Sequence, residues 1–310
     1  MVGTPFAIFR QAEIDEAEAQ AARDQLSPHI YMVTRRPRIT VDPSSIKITA
    51  ETISGSLLQN DRGVTSRHEW TRRNDFGSTD LKLDIKYPFT QLGISRPGGK
   101  FAVIDASVLL AHCTATRDPP YSSNWLDLEV LYVGQSFGGT GELSAFGRLR
   151  THSTLQKIYA DSVQTRPDAD IWLVVFNFEE TKLARIEASN GDANAEVARI
   201  LGFMEGSMSL QHKINFTEAA LIRYLQPEYN TTFKDRFPSP THSSYSECFE
   251  MDLNSVVAEM QTLEVGTRFG TATRPPAFAH IAAFQLPSTA ERRSMFSFAG
   301  TGDRLSGPVF

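Results

Sequence analysis

Between Leu131 and His152 the chain reads LYVGQSFGGTGELSAFGRLRTH, a stretch that offers three different chemistries. Gly134, Ser136 and Gly138 form a G-x-S-x-G pentapeptide after an apolar run, as in a strand-to-helix turn that exposes a serine nucleophile. The neighbouring residues argue against it: GTGELS separates Ser136 from the next helical pattern, no HGGG-type oxyanion segment lies upstream, and nothing nominates His242 or His280 as the base. Gly138, Gly139 and Gly141, ahead of a helix, would suit a phosphate held on exposed amides. Neither G-x-x-x-x-G-K-[ST] nor G-x-G-x-x-G is present, and Ser144 stands where the last glycine of the second would be. The flanks supply the third set: the phenol of Tyr132, the guanidinium of Arg148, the imidazole of His152 and, in FTEAALIRYLQPEYN, the carboxylate of Glu218 and the amide of Asn230. Arg148 and His152 are four apart, a spacing that would put both on one helix face. Glu218 leads an apolar stripe of Leu221, Ile222 and Leu225, near the start of its predicted helix, where the dipole favours a carboxylate.

Taken in order, LYVGQS, RLRTH and EAALIRYLQPEYN resemble three signatures of the GIY-YIG nuclease family. These are Y-[IV]-G-x-S ending the second strand, R-L-x-x-H on the next helix, and a Glu followed twelve positions later by Asn with a Pro between. The resemblance covers residues 100 to 235, with an insertion around EETKLARIEASNGDANAE. It implies a central three-stranded antiparallel sheet flanked by helices, and a metal-dependent endonuclease that hydrolyses DNA phosphodiester bonds, RNA remaining open. It implies that Glu218 binds Mg²⁺ or Mn²⁺ and Arg148 the non-bridging oxygens, while Tyr132 helps to deprotonate the attacking water. His152 would be the proton acceptor or relay, and Asn230 would fix the turn after Pro227 or meet the phosphate. Family analogy points to restriction or defence. The first-strand G-I-Y element has no counterpart in FAVIDAS, where Ile104 or Asp105 falls near its tyrosine, and Tyr121 is the candidate substitute. Gln135 stands where some relatives carry Lys. Two alternatives remain: a catalytically inactive relative that binds nucleic acid or protein, and a serine hydrolase acting through Ser136.

The elements that must carry these residues can be read coarsely. Ile14 to Leu26 lacks Gly and Pro and suits a surface helix. YMVTRRPRITVD, SSIKITAETI and TDLKLDIKYPF read as strands separated by turns. FAVIDASVLLAHC and LDLEVLYVG read as two more strands, Glu142 to Asp161 as one helix, DIWLVVFNF as a buried strand, and ANAEVARILGFM and FTEAALIRYLQ as helices. Strands near Cys248 to Leu253 and Ala277 to Gln285 complete the pattern. The expectation is an α+β protein in three parts: a helix plus β-rich target-recognition region at 1–95, the nuclease-like domain at 96–236, and a C-terminal extension at 237–310 packed on it.

A formal charge of −5 excludes a histone-like polyanion binder, so nucleic-acid contact must use local patches such as Arg35, Arg36 and Arg38, or Arg62, Arg67, Arg72 and Arg73. Cys113 and Cys248 stand alone, as reduced thiols do, and with no secretory leader or membrane-length apolar run a cytoplasmic protein is expected. A homodimer would suit double-strand cleavage.

Overall fold

The computed structural model describes residues 1–99, 101–115, 120–121, 123–136, 144–179, 209–235, 237 and 255–285. The predicted helix ANAEVARILGFM and the strand near Cys248 lie outside these residues. Among the described residues no helix is long and apolar enough to cross a membrane.

The N-terminal elements are β1 (Val2–Phe9), α1 (Ile14–Arg23) and β2 (Ile30–Pro37). A β-rich segment comes next, with β3 (Ile39–Val41), β4 (Lys47–Ile48), β5 (Thr52–Asp61), β6 (Val64–Arg73), β7 (Lys82–Asp84), β8 (Gln91–Ser95) and β9 (Phe101–Asp105), closed by α2 (Ala106–Thr114). Then come β10 (Leu128–Gln135), α3 (Ala145–Arg150), α4 (Ser153–Thr165), β11 (Ala169–Glu179) and α5 (Leu210–Leu225). The last strands are β12 (Ser255–Gln261), β13 (Phe269–Gly270) and β14 (Ala279–Gln285).

The α+β class is as expected, but the main sheet has seven strands, in the order β13-β10-β2-β11-β1-β12-β14, rather than three. β11 cannot be an edge: Val174, Val175 and Phe176 are all buried, so both of its faces and both of its hydrogen-bonding sides need cover. β2 covers one side and β1 the other, both antiparallel, and β12 then adds in parallel to β1.

Strand alternation sorts the core into two layers. Ile30, Met32, Val130, Val133, Val174 and Phe176 pack against Ile214, Leu221, Ile222 and Leu225 of α5. Tyr31, Val33, Leu131, Leu173 and Val175 pack on the opposite face against Ile14, Phe146, Leu149, Leu155 and Ile158 of α1, α3 and α4.

The division of the chain differs from the expected boundary near 95. β1, α1 and β2 belong with the main sheet, and residues 38–127 form an insertion between two neighbouring strands, since Arg35 of β2 faces Glu129 of β10. The insertion has its own core, with Val41, Leu57, Trp70, Leu92 and Leu110 buried together. YMVTRRPRITVD is therefore two strands in two sheets, and FAVIDASVLLAHC is a strand followed by a helix, because Asp105 accepts from the Ser107 N–H and caps α2. Ion pairs tie the insertion to the main sheet, Arg38 to Asp170 at 2.7 Å and Asp61 to Arg166 at 2.8 Å.

Candidate active site

The site forms where β10 runs antiparallel to β2, with Gly134 opposite Tyr31 and Tyr132 opposite Val33. A bulge between Val130 and Tyr132 breaks the alternation. Leu131 and Tyr132 consequently lean toward the same core layer, and the phenol comes to lie beside Tyr31 with ring centroids 6.3 Å apart. Gly134 makes the approach feasible: a Cβ there would sit 2.6 Å from Tyr31 Cζ and 2.7 Å from Tyr132 Cε1. His152 completes an aromatic trio, its ring 5.0 Å from that of Tyr132 and 5.7 Å from that of Tyr31.

Tyr31 is the residue that sequence reasoning missed. It lies in HIY at 29–31, one strand away from Tyr132 in space and separated from it by the insertion in sequence. The residues considered from sequence as a first-strand tyrosine or its substitute lie elsewhere. Ile104 and Asp105 end β9 of the insertion, and Tyr121 packs against the Gly266 backbone.

Arg148 and His152 do not share one continuous helix. α3 ends at Arg150, Thr151 leaves the helical region at φ −119°, and His152 is the N-cap of α4 in extended backbone. Its Nδ1 accepts the Leu155 N–H at 3.2 Å. That fixes the tautomer: Nδ1 carries the lone pair, so a neutral His152 carries its proton on Nε2 and offers a donor. The expected proton-acceptor role conflicts with this geometry, because protonating Nδ1 breaks the cap. Burial, then the charge of Arg148, lowers the imidazole pKa and keeps the ring neutral.

Arg148 is exposed on α3, a helix of six residues held from behind. Ser144 caps it at the Gly147 N–H, Phe146 and Leu149 are buried, and Arg150 pairs with Asp15 and Glu18 of α1, each at 2.6 Å. The Arg148 guanidinium acts electrostatically on both phenols, Tyr31 and Tyr132. Burial pushes both phenols above the usual tyrosine range and the Glu218 charge adds to it, while Arg148 opposes the shift.

Glu218 reaches this end of β10 from the other face of the sheet. It is mid-helix, not near the helix start, because α5 begins at Leu210 with Ser209 as its cap. The dipole argument for its position therefore falls away, and the predicted stripe of Leu221, Ile222 and Leu225 is buried as expected. Desolvation pushes the carboxyl up to about 7, opposed by the neighbouring Gln135 amide groups and the charge of Arg148. Guanidinium and carboxylate thus act on one another and on both phenols.

Asn230 binds backbone rather than facing the phenols. Its Oδ1 accepts the Val133 N–H at 2.9 Å and its Nδ2 donates to the Val133 carbonyl at 2.8 Å. With the Tyr229 N–H donating to Leu131 O, the outer edge of β10 is capped at two successive alternate residues, Leu131 and Val133. A catalytic assignment for Asn230 gives way to a positioning one, since both amide groups are engaged in holding the strand.

Ser136 is buried, and its hydroxyl donates to the His29 carbonyl at 3.4 Å, a poor arrangement for a nucleophile. His280 is engaged with Tyr224 and the Phe269 carbonyl. Gly138, Gly139, Gly141 and His242 lie outside the described residues. Among the described residues no group of three His, Cys, Asp or Glu side chains could hold a metal ion. A divalent ion would therefore find one carboxylate, Glu218, a hard oxygen donor whose charge lacks full compensation. That donor set fits Mg²⁺ or Mn²⁺ with water and substrate completing the shell.

The chain matches no protein-family model, no curated protein and no solved structure.

Proposed function

We propose that the protein is a metal-dependent endonuclease of GIY-YIG type that hydrolyses DNA phosphodiester bonds. The observation that carries this reading is the convergence of Tyr31, Tyr132, Arg148, His152 and Glu218 at one end of the β2–β10 ladder. The antiparallel strands β10-β2-β11 within the seven-stranded sheet, with helices on both faces, support this reading. Tyr31 supplies the phenol whose absence would favour an inactive binding protein.

The residues divide the work by charge and protonation state. Arg148, exposed and held from behind, forks onto the non-bridging phosphate oxygens and opposes the negative charge that grows toward the transition state. Its charge also opposes the burial that holds Tyr31 and Tyr132 protonated, and a bound metal ion would add to that effect, so that the Tyr132 oxygen can accept the proton of the attacking water. His152, neutral and protonated on Nε2, donates a hydrogen bond to an oxygen of the substrate. Glu218 holds Mg²⁺ or Mn²⁺, which when bound supplies Lewis-acid polarisation of the phosphoryl group. The inserted β-rich module is assigned the choice of target.

The test is relaxation of supercoiled plasmid with Mg²⁺, with Mn²⁺ and with EDTA, for the wild type and Glu218→Ala. Cation-dependent nicking, reduced by about 100-fold or more in the variant, is expected. Equal cleavage by both proteins, or cleavage that survives EDTA, would overturn the reading.

A further inference from the structure

A cleft of about 330 Å³, counting its open mouth, lies between the start of α5 and the strand ends that carry the site. Ile30 and Phe176, cross-strand partners on β2 and β11, form its buried floor, and Leu210 and Ile214 of α5 form one wall. Phe178 forms the other. Its ring stays out of the space because it lies over Gly3, its partner on β1, where a Cβ would run into it. The cleft adjoins the reacting groups at two points: Ile30 precedes Tyr31 and pairs with Gln135 at the end of β10, and Thr217, also in the lining, precedes Glu218. The lining contains no Asp, Glu, Lys or Arg, which suits an uncharged group and not a phosphate or an ion. His29 and Asn177 add polar groups, and burial lowers the His29 pKa, so its imidazole is neutral and carries one donor and one acceptor. Aromatic and apolar walls with a few polar groups are the make-up of a small-ligand site, and this volume is at the low end of their range of about 300 to 1,000 Å³. It suits a single flat ring system.

We propose that this cleft receives one nucleobase, that of a nucleotide adjoining the scissile phosphate, turned out of the stack onto Phe178. The inference rests on the nuclease reading, since adjacency to Tyr31 and Glu218 is what identifies the occupant as part of a nucleic acid. Stacking on an aromatic ring tolerates any base, so the cleft holds the strand in place and target choice stays with the inserted module.

The experiment titrates the full chain, in EDTA, into the 5′-monophosphate of 2-aminopurine deoxyriboside, whose fluorescence falls on stacking. Thermal unfolding and plasmid nicking with Mg²⁺ are followed in parallel. Saturable quenching is expected, reversed by deoxyadenosine monophosphate but not by deoxyribose 5-phosphate, which has the phosphate without the base. In Phe178→Leu the dissociation constant rises by about 10-fold, the usual effect of removing a stacking ring, and nicking slows by a similar factor with its cation dependence intact. Phe178→Tyr keeps wild-type binding and rate. Four results would each overturn the inference alone, the nuclease reading then standing on wild-type nicking. They are no quenching, equal competition by deoxyribose 5-phosphate, wild-type binding in Phe178→Leu, or a loss there that Phe178→Tyr shares and a lower unfolding temperature accompanies. Base-dependent quenching in a protein that does not nick plasmid would overturn the nuclease reading, and with it the place of this base beside a cut.

Discussion

At Glu218 burial and ionisation oppose one another, and the conflict can be measured through pH. The carboxyl is pushed up to about 7 in the folded chain from an ordinary 4.5, chiefly by desolvation. Between those values the folded protein holds a proton that the unfolded chain has released. This group's contribution to stability is therefore fully present below pH 4.5 and is lost as pH rises through 7. Glu218→Gln removes the titration while keeping the shape, so without divalent ions the variant should be more stable than wild type at pH 8 by about 1 to 3 kcal/mol, and equal to it at pH 4. Urea unfolding at the two pH values checks this; a variant no more stable at pH 8 would show that the carboxylate is better solvated than its surroundings imply. Gly134 is constrained by contact rather than charge. The added methyl of Gly134→Ala would meet the Tyr31 ring at 2.6 Å, so one phenol must move. Overpacking of this kind costs about 1 to 3 kcal/mol, and displacement near 1 Å at reacting groups lowers rates by about 100-fold. Plasmid nicking and thermal unfolding of this variant report the two effects separately.

At the scale of elements the decisive feature is the break between α3 and α4. His152 both caps α4 through Nδ1 and faces the phenols, so the two roles can be separated by substitution. His152→Ala removes cap and donor and should cost about 1 kcal/mol of stability, whereas His152→Asn keeps a capping acceptor and restores most of it. Neither restores the Nε2–H, so both should cut at least about 100-fold more slowly. An Asn variant that cleaves at the wild-type rate would reduce His152 to a cap. The sequence carries R-L-x-x-H plainly but not the break within it, because the spacing of apolar residues from Phe146 to Ile158 runs on through Thr151 and His is an uncommon cap. Strand β11 is legible as an unbroken apolar run, and Glu218 as the head of an apolar stripe. The start of α5 is not: Ser209 and the apolar pair Leu210 and Ile214 extend the helix beyond Phe216, where the sequence pattern places its first turn.

At the scale of the whole molecule, Tyr31 is hidden by distance along the chain. Reading two strand motifs as a hairpin presumes that partner strands succeed one another closely, and here residues 38–127 intervene. The periodicity of YMVTRRPRITVD also continues across Pro37, where the chain leaves one sheet for another, so nothing local marks the start of the insertion. The geometry that conceals Tyr31 also permits a decisive excision. Arg35 faces Glu129 and pairs with it at 2.8 Å, so the ends of β2 and β10 are adjacent, and Asn-Gly in place of residues 39–126 closes a three-residue Arg38-Asn-Gly hairpin loop. The main sheet keeps both core layers, because the apolar residues of the insertion pack among themselves. It loses the Arg166–Asp61 and Arg10–Asp105 pairs, and Arg36, stacked 4.3 Å over Trp172 and bonded to the Leu126 carbonyl, gains solvent. Those losses should lower the unfolding temperature without abolishing a cooperative transition. The shortened chain should still nick plasmid in a cation-dependent way, because Tyr31, Tyr132, Arg148, His152 and Glu218 all lie outside the excised segment. Its cuts should be scattered where those of the full protein fall at discrete positions. If it folds and cuts at the same positions as the full chain, target choice belongs to the main sheet and its helices, and the insertion serves another purpose.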